Sequence, residues 1–448
     1  MSFPKYPAYK DSGVEWIREI PLKWDVTPIR SLSASAPKSF MDGDWIESPF
    51  ITNEGIRLIQ TGNIGIGRYK EQGFRYISEE TFQDLNCTEV KPNDLLICRL
   101  ADPVGRACLA PTLTDKMITS VDVAILKPAN YASAEYFKYV LSSPTYLSFM
   151  EGECRGGTRN RVSRSFLGSV RVPLPPLSEQ QAIASFLDRE CGKIDALITE
   201  QERLVALLAE KRQAVISHAV TKGLNPNAPM KDSGIPWIGM VPEGWNIVKI
   251  GKIFSEINEP GNDSLPILSV SIHSGVSDDE LSEEKLDRKV TRSDDRSKYI
   301  VVRPGDLTYN MMRAWQGGFG AVQVLGMVSP AYVVARPKNI FWQKTVFIEL
   351  LLRTPNAIVE MKRHSRGVTD FRLRLYWDEF KNISIPLPKW EEQNSILNFI
   401  KKKTGQFDAL SMVANKAIVL LKERRSALIS AAVTGKIDVR NQSKANAA

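Results

Sequence analysis

At 448 residues the chain is long enough for two to four domains. Its 43% hydrophobic and 25% charged content is that of a globular protein, and no run approaches the roughly 18 apolar residues of a membrane span. The net charge of +8 favours approach to phosphate backbones, although many globular proteins are as basic.

Met1 to Lys10 lacks the apolar stretch of a secretory signal. The cysteines at 87, 98, 108, 154 and 191 are scattered and form no CxxC, which predicts reduced thiols in the cytoplasm instead of disulfides or zinc ligands. The first half opens with Lys10-Asp11-Ser12-Gly13-Val14-Glu15-Trp16-Ile17 and then Ile20-Pro21-Leu22-Lys23-Trp24. Short β-branched runs bounded by turn residues predict strands at Ile56 to Ile59 and Val123 to Leu126, with Lys91-Pro92-Asn93-Asp94 as a turn feeding another. A helical segment is predicted near Ala134 to Leu147. Ser178-Glu179-Gln180-Gln181 has the form of a capping box closed between Ser178 and Gln181. Gly192 is read as a break between a short helix and a long one running from about Lys193 to Val220. Ile194, Leu197, Ile198, Leu204, Val205, Leu208, Val215 and Ala219 give that helix one apolar stripe, the pattern of a two-helix seam.

The second half repeats this order. Lys231-Asp232-Ser233-Gly234-Ile235-Pro236-Trp237-Ile238 matches the opening, and Val241-Pro242-Glu243-Gly244-Trp245 follows. Strands are predicted at Tyr299 to Val302 and Tyr332 to Ala335, and a helix over Trp342 to Lys362. Val172-Pro173-Leu174-Pro175 returns as Ile385-Pro386-Leu387-Pro388, Gly192 as Gly405, and the stripe as Phe407, Leu410, Ala414, Ala417, Leu421, Leu428 and Ala432. The tryptophans in register, Trp16 with Trp237 and Trp24 with Trp245, are expected to anchor cores. About 28 helical residues span roughly 42 Å, comparable with the separation of half-sites one DNA turn apart. The helices are therefore either a spacer between two reading heads or simply a core.

The motifs that are missing narrow the chemistry. The sequence has no phosphate-binding GxxxxGK[ST] loop, no HExxH, no GxSxG and no Cys/His cluster. The Asn/Asp-Pro-Pro-aromatic pocket of adenine methyltransferases is missing too: Asn225-Pro226-Asn227 is a linker without the aromatic. What is present is guanidinium and amide chemistry on turns. Arg155-Gly156-Gly157-Thr158-Arg159-Asn160-Arg161, with Arg164 behind it, forms one basic loop. Lys362 to Thr369, carrying Arg363 and Arg366, with Arg372 and Arg374 beyond, forms its counterpart. Arg57, Gln60, Asn63, Arg68 and Tyr69 lie on a second candidate loop, as do Arg313, Trp315 and Gln316. Arginine can pair bidentately with phosphate or with guanine, and glycine lets backbone approach closely. The candidate DNA-binding set is therefore Arg57, Gln60, Asn63, Arg68, Arg155, Thr158, Arg159, Arg161, Arg164, Arg313, Gln316, Arg363, Arg366, Thr369, Arg372 and Arg374.

The doubled KDSG…W openings, the Pro-Leu-Pro-x-x-x-Glu-Gln helix starts at Pro173 to Gln180 and Pro386 to Gln393, and the Lys-Arg-x-Ala and Arg-Arg-Ser-Ala helix ends resemble the specificity (S) subunits of type I restriction–modification systems. The resemblance implies an α+β fold with a pseudo-twofold repeat: two globular α/β target recognition domains and two long helical regions paired as an antiparallel coiled coil. The expected boundaries are 1–177 and 223–390 for the recognition domains, 178–222 and 391–440 for the helical regions, and 441–448 for a disordered tail. It further implies a non-catalytic subunit that reads a bipartite site on double-stranded DNA and docks two modification subunits. Those would bring S-adenosylmethionine for adenine N6 methylation, and a restriction subunit would bring ATP and Mg for translocation and cleavage; this chain would hold no cofactor and meet no membrane. The alternative is a duplicated protein-binding scaffold without DNA sequence readout.

Overall fold

The computed structural model describes residues 3–154, 161–262, 264–280, 295–339, 344–367 and 373–440. The expected disordered tail, 441–448, lies outside the described residues. The chain divides into two units, residues 1–202 with 416–448, and residues 203–415.

In the first unit, β-branched and apolar runs build a four-stranded antiparallel sheet in the order Phe40–Asp42, Val123–Leu126, Leu95–Cys98, Ala107–Leu109. Its two central strands are buried at every position, which is why they read as unbroken apolar runs. The Asp94 carboxylate accepts the Lys91 N–H at 2.9 Å and fixes the turn into the central strand. A second sheet joins Ile56–Ile59 in parallel to Met117–Thr119 and antiparallel to Tyr76–Ile77. Asp25–Pro28 pairs with Arg171–Leu174, bringing the opening segment to the Pro-Leu-Pro run.

The second unit repeats the sheet order with Phe254–Ile257, Tyr332–Pro337, Leu307–Asn310 and Phe319–Ala321. Asp306 accepts the Arg303 N–H at 2.9 Å, and Asn246–Lys249 pairs with Ser384–Leu387. The opening hairpin also recurs, Tyr9–Asp11 with Glu19–Pro21 and Met230–Asp232 with Met240–Pro242, but the inserted strands differ: Ile300–Val302 pairs antiparallel with Gly326–Val328, and Val270–Ser271 with Gly275–Val276. The frame is duplicated and the inserts are not.

Each expected helix after the sheet is two helices. Ala134–Val140 and Pro144–Glu153 replace the single segment near Ala134 to Leu147, and Thr345–Leu352 and Pro355–His364 replace Trp342 to Lys362, of which residues 342 and 343 lie outside the described set. Pro144 and Pro355 each occupy a first turn, and the residues before them, Ser143 and Thr354, are extended, so the earlier helix cannot continue through them.

The long helices are Leu177–Lys222 and Trp390–Val433, 46 and 44 residues. At 1.5 Å per residue the first is about 69 Å long, not the roughly 42 Å expected. Neither Gly192 nor Gly405 breaks its helix; both face solvent, with nothing within 4 Å of a built Cβ. One exposed helical glycine costs only about 1 kcal/mol, which the packing on either side outweighs. The capping box is also corrected. The helix starts at Leu177, so Ser178 lies inside its first turn, and Gln180, not Gln181, turns back.

The helices pair antiparallel within each unit. In the first, Asp195 meets Arg425 at 2.9 Å and Glu202 meets Lys422 at 3.6 Å, around a seam of Ile194, Ile198 and Ile418. In the second, Arg212 meets Asp408 at 3.5 Å. Leu197, Leu204 and Leu410, expected in the stripe, are exposed. A pair of helices covers one narrow stripe on each, and these residues fall on the uncovered flank.

Each core is closed by the end of a long helix. Ile429, Ala432, Val433 and Val439 pack in the cluster of Trp24, and Ile216, Ala219 and Val220 in that of Trp245. Trp16 and Trp237 pack against the edges of the same clusters. The five cysteines are free thiols. Among the described residues no helix is long and apolar enough to cross a membrane.

Candidate nucleic-acid interface

Both units hold their basic loops with the same devices. Gln180 accepts the Ser133 N–H at 2.8 Å and donates to the Pro175 carbonyl at 2.8 Å. Gln393 accepts the Lys344 N–H at 2.7 Å and donates to the Pro388 carbonyl at 2.9 Å. The start of each long helix is thereby pinned to the start of the helical layer over the sheet. A second repeated bond lies at the loops themselves. The Val162 N–H donates to the Arg99 carbonyl at 3.0 Å, and the Leu375 N–H donates to the Met311 carbonyl at 2.9 Å. Arg99 and Met311 directly follow the matching central strands Leu95–Cys98 and Leu307–Asn310. Each bond brings the chain just after a basic loop onto the end of its sheet.

In the first unit three loops converge. Leu100 bridges to Arg161. The buried Arg106 donates to the carbonyls of Leu100 (2.9 Å), Pro103 (2.8 Å), Thr61 (2.9 Å) and Ile64 (2.7 Å), tying the turn at 61–64 to the loop at 100–103. The buried Arg99 donates to the carbonyls of Val162 and Val121 and meets Asp42 at 3.0 Å. Burial pulls its guanidinium below the usual range, opposed by Asp42. Arg161 pairs with Asp122 at 2.9 Å and Arg164 with Asp42 at 3.6 Å, both staying partly exposed. Four guanidinium groups, of Arg99, Arg106, Arg161 and Arg164, against the carboxylates of Asp42 and Asp122 leave this corner net positive.

The loop from Gln60 to Arg75 is stapled from within. Arg57, only 2% exposed, donates to the carbonyls of Gln72 (2.8 Å) and Arg75 (3.2 Å) and lies 3.7 Å from Glu71. The buried Asn63 donates to the carbonyls of Lys70 (2.9 Å) and Gln72 (2.8 Å) and accepts the Gln60 N–H at 2.9 Å. Arg57 and Asn63 thus commit their polar groups to shaping the loop, while Arg68, Lys70 and Arg75 face outward.

In the second unit, Arg366 and Arg374 exchange two backbone hydrogen bonds of 2.9 Å and close the base of the basic loop. Arg363 pairs with Glu360 at 3.6 Å, Arg366 pairs with Glu379, and Arg374 is exposed. The Lys362 ammonium lies 5.5 Å over the Trp315 ring, joining this loop to the turn of half-buried Arg313 and exposed Gln316. Arg155, Thr158, Arg159, Thr369 and Arg372 lie outside the described residues.

Sequence reasoning separated the loops that the fold brings together, and it missed Arg99 and Arg106. Their only local signal is an arginine at either end of the turn between two apolar strands. Among the described residues, no group of three or more His, Cys, Asp or Glu could hold a metal ion.

A family model described as the type I restriction modification DNA specificity domain matches residues 32–204. The chain is 24% identical over 370 residues to the type I restriction enzyme EcoBI specificity subunit of Escherichia coli, covering 78% of this chain and 74% of that protein. It is 26% identical over 311 residues to the type I restriction enzyme MjaVIII specificity subunit of Methanocaldococcus jannaschii, covering 66% and 68%. The fold matches the crystal structure of an HsdS subunit from Thermoanaerobacter tengcongensis with a TM-score of 0.51 at 16% identity, over 93% of this chain and 98% of that one. It also matches a chain from a structural study of complex assembly and conformational transition in a type I R-M system, with a TM-score of 0.58 at 17% identity over 92% and 98%.

Proposed function

The chain belongs to the specificity subunits of type I restriction–modification systems, a non-catalytic class, and from that premise we propose that its two units read the two halves of a bipartite, asymmetric site on double-stranded DNA. The recognition domains are residues 1–177 and 223–390, and residues 178–222 and 391–440 are the helical regions that set the spacing between half-sites. The carrying observation is the repeated bond from Val162 to Arg99 and from Leu375 to Met311. It gathers basic loops at the same place on the same sheet in both units, while the strands and residues around them differ. Like frames with unlike contents suit an asymmetric site, because two like heads would read a palindrome.

Contact falls to the outward cations, Arg68, Arg161 and Arg164 in the first domain and Arg363, Arg366 and Arg374 in the second, together with half-buried Arg313, and with Gln60 and Gln316 as amide readers. Arg155, Thr158, Arg159, Thr369 and Arg372, which lie outside the described residues, complete the contact set in this reading. Arg57 and Asn63 act one step back, by positioning. The long helices dock two modification subunits. Met412 and Val419, and Val413 and Leu420, are exposed apolar pairs seven residues apart on the second long helix, as Leu197 and Leu204 are on the first. Such stripes suit partner helices. The modification subunits bring S-adenosylmethionine and methylate adenine N6, and a restriction subunit brings the ATP- and Mg-dependent cleavage.

The test is co-expression with the modification subunits, followed by single-molecule sequencing of host DNA for N6-methyladenine. A single split motif methylated only when this chain is present supports the reading. Binding that is equal for all sequences at matched salt would sink it and favour a scaffold.

A further inference from the structure

Phe74 is an exposed aromatic residue presented by a loop built to hold it. It keeps 59% of its surface exposed, and its backbone sits at a φ of +20° directly after Gly73 at +74°. A phenylalanine rarely adopts positive φ, so its surroundings must impose the conformation. They do so through Arg57, whose guanidinium bonds to the carbonyls on either side, those of Gln72 and Arg75, and lies 5.3 Å from the Phe74 ring centroid and 5.4 Å from that of Tyr76. Asn63 holds the Gln72 carbonyl from the other direction, and Gln72 donates back to the Gly62 carbonyl at 2.7 Å. A buried cation therefore props the ring from below and leaves the rest of it in solvent. Arg68, Lys70 and Arg75 are exposed on the same loop against one exposed carboxylate, Glu71, so the loop carries net positive charge that favours phosphate.

We propose that Phe74 is a specificity-determining residue of the first domain that inserts at a base-pair step of its half-site and stacks on a partly unstacked base. This rests on the reading of that domain as a DNA-recognition domain. Apolar side chains among cations serve this purpose because phosphate contacts position the protein while the ring tests how readily one step opens. A rigid loop suits the role, since a ring already held in place loses little entropy on insertion.

The test uses the full chain assembled with its modification subunits. The probes are duplexes carrying the motif found by methylation mapping, with 2-aminopurine at successive positions of each half-site other than the target adenine. One position in the first domain's half-site should brighten on binding. Phe74→Ala should abolish that signal and weaken motif binding about tenfold, the lower range of base–aromatic stacking, with a smaller loss on motif-free DNA. Phe74→Trp should keep the signal. Because Phe74 is exposed, the melting temperature should not move in either variant. Undiminished brightening and affinity in Phe74→Ala overturns the proposal, as does a variant that binds DNA normally and fails to hold modification subunits, which would make Phe74 a protein contact. Wild-type binding that is equal on motif and motif-free duplexes would instead overturn the recognition reading and the insertion with it.

Discussion

Trp24 donates its indole N–H to the Glu179 carboxylate at 3.1 Å. The two residues belong to the opening segment and the start of the long helix. Their counterparts repeat the bond, Trp245 to Glu392 at 2.9 Å. In the first unit the same carboxylate also accepts the Tyr6 hydroxyl. Burial and that hydrogen bond hold the Tyr6 hydroxyl protonated well above the usual tyrosine range.

Removing the acceptor should therefore cost more in the first unit. Glu179→Ala leaves two donors, of Trp24 and Tyr6, without their carboxylate and should destabilise by about 2–4 kcal/mol; Glu392→Ala should cost about 1–3 kcal/mol. Calorimetry of the two variants checks this, and equal losses would show that the Tyr6 bond contributes nothing.

Gly192→Ala and Gly405→Ala should each stabilise by about 0.5–1 kcal/mol, because both sites are mid-helix with open space where a Cβ would go. Denaturant titration decides the sign. Destabilisation would mean that the helices do break there.

Arg57 and Arg68 sit on one loop and should fail differently. Arg57→Ala removes the buried staple and should lower stability by about 2–3 kcal/mol, because the Gln72 and Arg75 carbonyls lose their charged donor. Arg68→Ala should leave the melting temperature alone and weaken DNA binding, reducing the salt slope by about one. Binding isotherms at several salt concentrations separate the two.

The thiols should resist alkylation in the folded chain. Burial pushes Cys108 up to about 12, and Cys87 and Cys191 to about 11. A raised value keeps the unreactive thiol form to higher pH; burial raises Cys154 too, but it alone is partly exposed, so it should react first at pH 8. The same shifts contribute stability below about pH 8.5, where the unfolded thiols are also protonated, and that contribution is lost as pH rises above it. Mass-spectrometric alkylation kinetics with and without denaturant test this; equal native rates for Cys108 and Cys154 would contradict it.

Met412→Asp and Val413→Asp place charge on side chains that are 69% and 63% exposed. The chain should keep its melting temperature and lose affinity for modification subunits by an order of magnitude or more, the scale of losing an apolar anchor. A pull-down with quantified stoichiometry would show it; unchanged assembly would place docking elsewhere.

The sequence by itself determined what depends on neighbours along the chain. The KDSG…W repeat, the strands from Ile56 to Ile59 and Val123 to Leu126, the Lys91–Asp94 turn and its Arg303–Asp306 copy, and the basic loops all follow from period and turn chemistry within a few residues. The tertiary structure decided what depends on distant partners. Gly192 reads locally as a break, yet the seam of Ile194, Ile198 and Ile418 carries the helix through it. Arg57 and Arg68 look alike in sequence. One is consumed by carbonyls at 72 and 75 and the other is left facing outward, because an arginine's role is set by whether the fold brings unpaired acceptors to it. The meeting of the basic loops rests on backbone bonds such as Val162 to Arg99, which involve no side-chain identity and so leave no mark in the residues that make them.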